Sequence, residues 1–151
     1  MSSTEKRDGG FSVTTVIAAT PQQLYDAWTV EQDVNGWLAN TSEIDANVGG
    51  NYVLHFPTPD GEFSARGQYL ELDPGNKIVL TWESWGPAGR MDGMDATVTV
   101  EFRELGDGTT EMTQSESSPA YTTGDRMDMS IGGTIEAHKG LASYIASSAQ
   151  D

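Results

Sequence analysis

"ATVTVEFRELGDGTTEMTQSESS" (Ala96–Ser118) holds two alternating segments around a glycine-rich turn. Val98, Val100 and Phe102 share one parity and Thr97, Thr99 and Glu101 the other, the period of a half-buried strand. LGDGTT is a hairpin turn by composition. The chain returns with Met112 and Gln114 on one face, and Glu116 continues that parity. Polar side chains on an inward face demand partners, because an unpaired buried polar group costs about 1–3 kcal/mol.

The segment that follows supplies a candidate partner. Pro119 ends the strand, and from about Thr123 to Ser148 the apolar spacing becomes helical. Met127, Ile131, Ile135, His138, Leu141, Ala142 and Ile145 keep to one side of a helix roughly 35 Å long. His138 thus stands where a leucine is expected, with Gln114 and Glu116 as its candidate partners. Gly132 and Gly133 each weaken the middle of this helix by roughly 1 kcal/mol relative to alanine. The sequence therefore allows a bend there, or a helix start near Ser130.

Upstream, FSVTTVI (Phe11–Ile17) reads as a strand. TPQQLYDAWT opens a helix with Thr20 as N-cap and Pro21 in the first position, burying Leu24, Ala27 and Trp28. EQDVNGWLA is a second short helix, broken near Gly36. GGNYVLHF (Gly49–Phe56) puts Tyr52, Leu54 and Phe56 on one face; Val53 and His55 take the other, so His55 faces solvent. EFSARGQYLELD is a further strand with Gly67 as a bulge or close approach. IVLTWESW carries Ile78, Leu80 and Trp82 on one face, and GPAGRMDGMD is a long loop. Strands joined by such short turns form an antiparallel meander. The expected architecture is α+β: a curved antiparallel sheet wrapped around a long C-terminal helix, with two short helices after the first strand. One helix across a concave sheet cannot close the core, so a cavity is expected between them.

Composition narrows the function. The chain has 151 residues, fitting one domain over residues 11–148 behind a disordered lead, residues 1–10. It carries 23 Asp+Glu against 8 Lys+Arg, a net charge of −15. Phosphate binding needs a positive field, so nucleic acid and anionic membranes are disfavoured as partners. The acidity fits a protein adapted to salt, or an ordinary acidic cytosolic one. With no cysteine there are no disulfides, thiol nucleophiles or cysteine zinc sites. No apolar run is long enough for a spanning helix, MSSTEKRDGG is not a signal peptide, and cytoplasm is the default location.

Several segments together resemble a known family. They are IAATPQQLYDAWT, GWLA, VGGNYVLHF, GQYLELDPGNKIVLTWE, VTVEFRELGDGTTEMTQSES and LASYI, covering about Phe11 to Ala146. The chain resembles the START-like, helix-grip superfamily, and within it the group related to the activator of Hsp90 ATPase. Trp37, the pair Gly49–Gly50, Gly67, the Asp73–Pro74 turn and Trp82 match the family's pattern in order. The last helix departs from it. Gly133 is followed by Thr134 where the family often has tryptophan, and His138 replaces a leucine. The resemblance implies the fold; the activity stays open, since the family hosts cyclases, lipid and steroid carriers and chaperone partners.

The leading expectation is a hydrophobic small molecule, planar or lipid-like, held between sheet and C-terminal helix. His138 and Gln114 would orient it, with Trp37, Trp82, Tyr52, Phe56, Tyr69 and Thr134 as wall. Trp85 is a candidate gate or a cap on the core. A second reading is a cyclase or hydrolase with His138 as general acid/base, although no second catalytic group stands out. A third is a chaperone-binding module with an Hsp90-type partner, implied by the resemblance alone. No cofactor and no metal are implied. Asp92, Asp95, Asp125 and Asp128 fit no calcium loop and read as solvated surface. The expected state is a monomer or weak dimer.

Overall fold

The computed structural model describes residues 2–91, 95–119, 121 and 124–148. The elements run β1 (Ser2–Arg7), β2 (Gly10–Ile17), α1 (Pro21–Thr29), α2 (Glu31–Trp37), β3 (Thr41–Ile44), β4 (Asn51–Thr58), β5 (Gly61–Asp73), β6 (Lys77–Gly86), β7 (Gly89–Arg90), β8 (Ala96–Glu104), β9 (Thr110–Ser117) and α3 (Gly124–Ser148). One curved antiparallel sheet has the order β1-β2-β9-β8-β6-β5-β4-β3, and β7 pairs with β6. The decisive hairpin pairs Val98 with Glu116, Val100 with Gln114 and Phe102 with Met112. All the inward positions read from the alternation are buried there except Glu116, which is half-buried.

α1 starts where the capping signal places it. The Thr20 hydroxyl accepts from the Gln23 amide N–H at 3.1 Å, and the Gln23 side chain accepts from the Thr20 N–H at 2.8 Å. The helix buries Leu24, Tyr25, Ala27 and Trp28 against the sheet. Gly67 lies at a close approach of β5 and β6, where a Cβ would collide with the Thr81 carbonyl. The register shift of β5 falls nearby, between Tyr69 and Glu71.

Three differences from the sequence reading stand out. Residues Ser2–Arg7 form an edge strand paired with Gly10–Thr15, where a disordered lead is expected. SSTEKR has no apolar parity because the strand is exposed along nearly its whole length. Backbone pairing to β2, a Ser2–Thr15 side-chain bond and the Lys6–Asp128 ion pair hold it instead. Secondly, α3 runs unbroken through Gly132 and Gly133. Thirdly, β3 and the two-residue β7 are strands that the sequence reading leaves as connections.

The core divides in two. One cluster gathers Ile17, Leu24, Trp28, Leu80, Met112, Leu141, Ile145 and their neighbours; the other gathers Phe11, Val13, Tyr121, Met127 and Ile131. On β2, Thr15 falls between Val13 of one and Ile17 of the other. On α3, Thr134 and His138 fall between Ile131 and Leu141. Gln114 follows Met112 on β9. A buried polar belt therefore separates the two apolar clusters, and the site is built on it.

Candidate functional site

His138 is fully buried, with 0% exposure. Its Nε2 lies 2.9 Å from Gln114 Oε1, and its Nδ1 lies 2.7 Å from Thr15 Oγ1. The Gln114 side-chain amide in turn donates to Glu116 Oε2 at 3.0 Å. That fixes Gln114 Oε1 toward the imidazole as acceptor, so Nε2 carries the proton and Nδ1 accepts from Thr15. Ser2 Oγ, 2.6 Å from Thr15 Oγ1, completes the chain by donating to it. Every donor in the series Ser2, Thr15, His138, Gln114 thus points toward the Glu116 carboxylate, an arrangement in which each bond polarises the next. Burial pushes the imidazole down to about 4, which keeps it neutral near pH 7.

Glu116 is the end of this chain and the start of the cavity. Its Oε1 accepts from the Tyr121 phenol at 2.9 Å. Thr134 Oγ1 lies 3.4 Å from Oε2, but its proton is shared with the Ser130 carbonyl at 2.9 Å. Burial pushes the Glu116 carboxyl up, opposed by the hydrogen bonds from Tyr121, Gln114 and Thr134. Burial, reinforced by the Glu116 charge, pushes the Tyr121 phenol up to about 12, so it stays a donor.

A cavity of about 310 Å³ lies between the sheet and α3, with the ends of α1 and α2 at its rim. Trp28, Trp37, Leu38, Phe56 and Trp82 form its apolar wall, and Gln114, Glu116, Tyr121, Arg126 and Thr134 its polar one. Trp28 and Trp37 meet edge to face at 5.0 Å, and the Trp37 indole N–H donates to the Ala27 carbonyl at 2.8 Å. These contacts fix both rings as rigid surfaces. The exposed Gly133 also lines the cavity; a Cβ there would meet nothing within 4 Å.

Of the residues expected to face a ligand, Gln114, Trp37, Trp82, Phe56 and Thr134 line this space. His138 does not. The expectation that the imidazole projects into the cavity is corrected: it sits behind Gln114, because both of its nitrogens are used within the belt. Tyr52 and Tyr69 are also set back, in a series of tilted ring contacts: Tyr69 to Tyr52 at 5.7 Å and Tyr52 to Trp82 at 6.3 Å. They surround a gap of only about 10 Å³, and the Tyr52 phenol donates to the Thr81 carbonyl at 2.5 Å. Glu116 is legible from its inward parity as a candidate partner of His138, but the structure puts it on Gln114 instead; Arg126 and Gly133 carry no sequence signal as site residues.

The remaining candidates lie elsewhere. Trp85 does not line the cavity; Arg66 stacks over its ring at 4.4 Å. His55 sits on the outer face of β4 between Glu43 and Glu62, each at 2.9 Å, and these carboxylates raise its basicity. Asp95 pairs with Arg90 and Asp128 with Lys6. Asp92 lies outside the described residues. No helix among the described residues is long and apolar enough to cross a membrane.

Solved structures share this architecture. CalU16 from Micromonospora echinospora is 18% identical, with a TM-score of 0.72 over 96% of this chain and 85% of that one. A protein from Arthrobacter aurescens, solved by NMR, is 18% identical with a TM-score of 0.82 over 96% and 91% of the two chains. A Rhodobacter sphaeroides protein is 16% identical with a TM-score of 0.82 over 97% and 99%. At such identities the likeness is one of fold. A search among curated proteins gave no match. The family model described as activator of Hsp90 ATPase homolog 1-like protein matches residues 18–146, from the end of β2 almost to the end of α3. With the helix-grip architecture in place as well, the chain belongs to the activator of Hsp90 ATPase homolog 1-like family.

Proposed function

We propose that the protein binds a small, largely hydrophobic molecule in the cavity between the sheet and α3. The observation that carries this reading is the composition of one concave space: rigid aromatic rings on one side, a few convergent polar groups on the other. Ligand sites have that character, and about 310 Å³ is at the small end of their range. The volume fits a compact planar aromatic better than a long acyl chain. Apolar contact with Trp28, Trp37, Phe56 and Trp82 drives entry, while Gln114, Glu116 and Thr134 set orientation. His138 acts from behind by fixing the Gln114 amide, and lies out of reach of a bound molecule. That geometry argues against acid/base catalysis by His138 on anything in this cavity.

Isothermal titration calorimetry with a panel of small neutral aromatics tests the reading. Saturable one-to-one binding with a negative heat-capacity change is expected, and Gly133→Leu, which puts bulk into the cavity, should weaken it at least several-fold. No binding across the panel, or binding indifferent to Gly133→Leu, would overturn it.

A further inference from the structure

The charge distribution around the cavity narrows the ligand class, an inference that rests on the binding reading above. Glu116 is the one acidic residue among those that line the cavity. Its firm hydrogen bonds come from two neutral donors, Tyr121 and Gln114, and the weaker contact from Thr134 is shared. A carboxylate offers about four lone-pair positions, so acceptor capacity remains. The side chains that hold Glu116, namely Tyr121, Gln114 and Thr134, are all neutral. Arg126, the one basic lining residue, stands in the first turns of α3 and has an interaction of its own. A half-buried carboxylate held by neutral donors, with Arg126 elsewhere on the same lining, is an unusual arrangement, because buried charges are ordinarily paired directly.

The walls point the same way. Trp28, Trp37 and Trp82 present indole rings, whose faces attract cations most strongly among the aromatic side chains. The net charge of −15 raises the local concentration of cations and repels anions before any contact is made.

We propose that the cavity selects amines: a compact aromatic body between the tryptophans, carrying a protonated nitrogen that donates to Glu116. The donor series from Ser2 through His138 to Gln114 leads into Glu116, so His138 is a positioning residue for this contact. A histidine on the inner stripe of α3 then has a use, since its proton on Gln114 Oε1 helps to hold the Gln114 amide group toward Glu116.

Three indole isosteres separate charge from shape: tryptamine as cation, 3-ethylindole as neutral body and indole-3-propionate as anion. Calorimetry at pH 7 in 0.5 M NaCl screens the exposed surface charge and leaves the short contact. Tryptamine should bind roughly tenfold tighter than 3-ethylindole, with the anion weakest. Glu116→Gln should abolish that preference, so that the variant binds tryptamine no more tightly than 3-ethylindole. Equal binding of amine and neutral isostere by the unaltered protein would overturn the inference without any variant, while leaving the cavity as a hydrophobic site. A preference that survives Glu116→Gln would overturn Glu116 as its source. Failure of all three isosteres to bind would remove the binding reading on which the inference stands.

Discussion

Neutral His138 makes acid sensitivity a property of one side chain. An unfolded histidine titrates near 6.5 and the folded one near 4, so between those values the unfolded chain holds more protons. The His138 contribution to stability therefore falls as the pH drops through that window, by about 2 kcal/mol between pH 7 and pH 5. Glu116 acts with the opposite sign: its carboxyl is raised, so its contribution falls as the pH rises. His138→Leu separates the two. At pH 7 the variant should be less stable by about 1–3 kcal/mol, because Thr15 and Gln114 each lose a partner. At pH 5 that gap should shrink by about 2 kcal/mol. Urea unfolding at both pH values measures it, and parallel pH profiles for the two proteins would contradict the assignment. Sequence periodicity puts His138 on the inner stripe and Gln114 on the inner parity, but it cannot say which of them reaches open space. That depends on rotamers and on Thr15 from β2, 123 positions away along the chain.

Elements with a strong local period were the legible ones. The β8–β9 hairpin, α1 with its capping residues and the inner stripe of α3 follow from spacing alone. β1 and β3 do not, because polar edge strands are fixed by backbone pairing that leaves no pattern in the side chains. The glycines illustrate the same limit. Gly36 and Gly132 both weaken a helix on paper, yet their surroundings are opposite. A Cβ at Gly36 would run into the Tyr144 ring, whose hydroxyl donates to Asp33 at 2.6 Å and ties α3 to α2. A Cβ at Gly132 would meet nothing within 4 Å. Gly36→Ala should therefore destabilise the protein by about 1–3 kcal/mol through overpacking. Gly132→Ala should stabilise it by up to about 1 kcal/mol and leave ligand binding unchanged, since Gly132 does not line the cavity. Thermal unfolding of the two variants checks both signs; a loss at Gly132 would show that α3 needs the flexibility there.

At the scale of the molecule, an apolar cavity sits inside a strongly acidic body. With 23 acidic and 8 basic residues, like-charge repulsion outweighs ion pairs such as Arg103–Glu111 and Lys77–Glu71 at the exposed surface. Screening should then stabilise the fold: Tm is expected to rise by several degrees between 0.05 and 1 M NaCl, as differential scanning calorimetry would record. A falling Tm would mean that the surface ion pairs dominate. The fold class was readable from the sequence as a whole, but the volume under α3 was not, because it depends on how two apolar clusters and a polar belt leave space between them. The central claim is that this space takes up a ligand, and the protein's four tryptophans report on it. Trp28, Trp37 and Trp82 line the cavity, and Trp85 does not. In a ¹⁵N-resolved NMR titration with 3-ethylindole, the indole N–H signals of the first three should shift together, along with the Gly133 amide, while Trp85 stays still. Shifts confined to exposed residues, with all four indoles unmoved, would contradict the account.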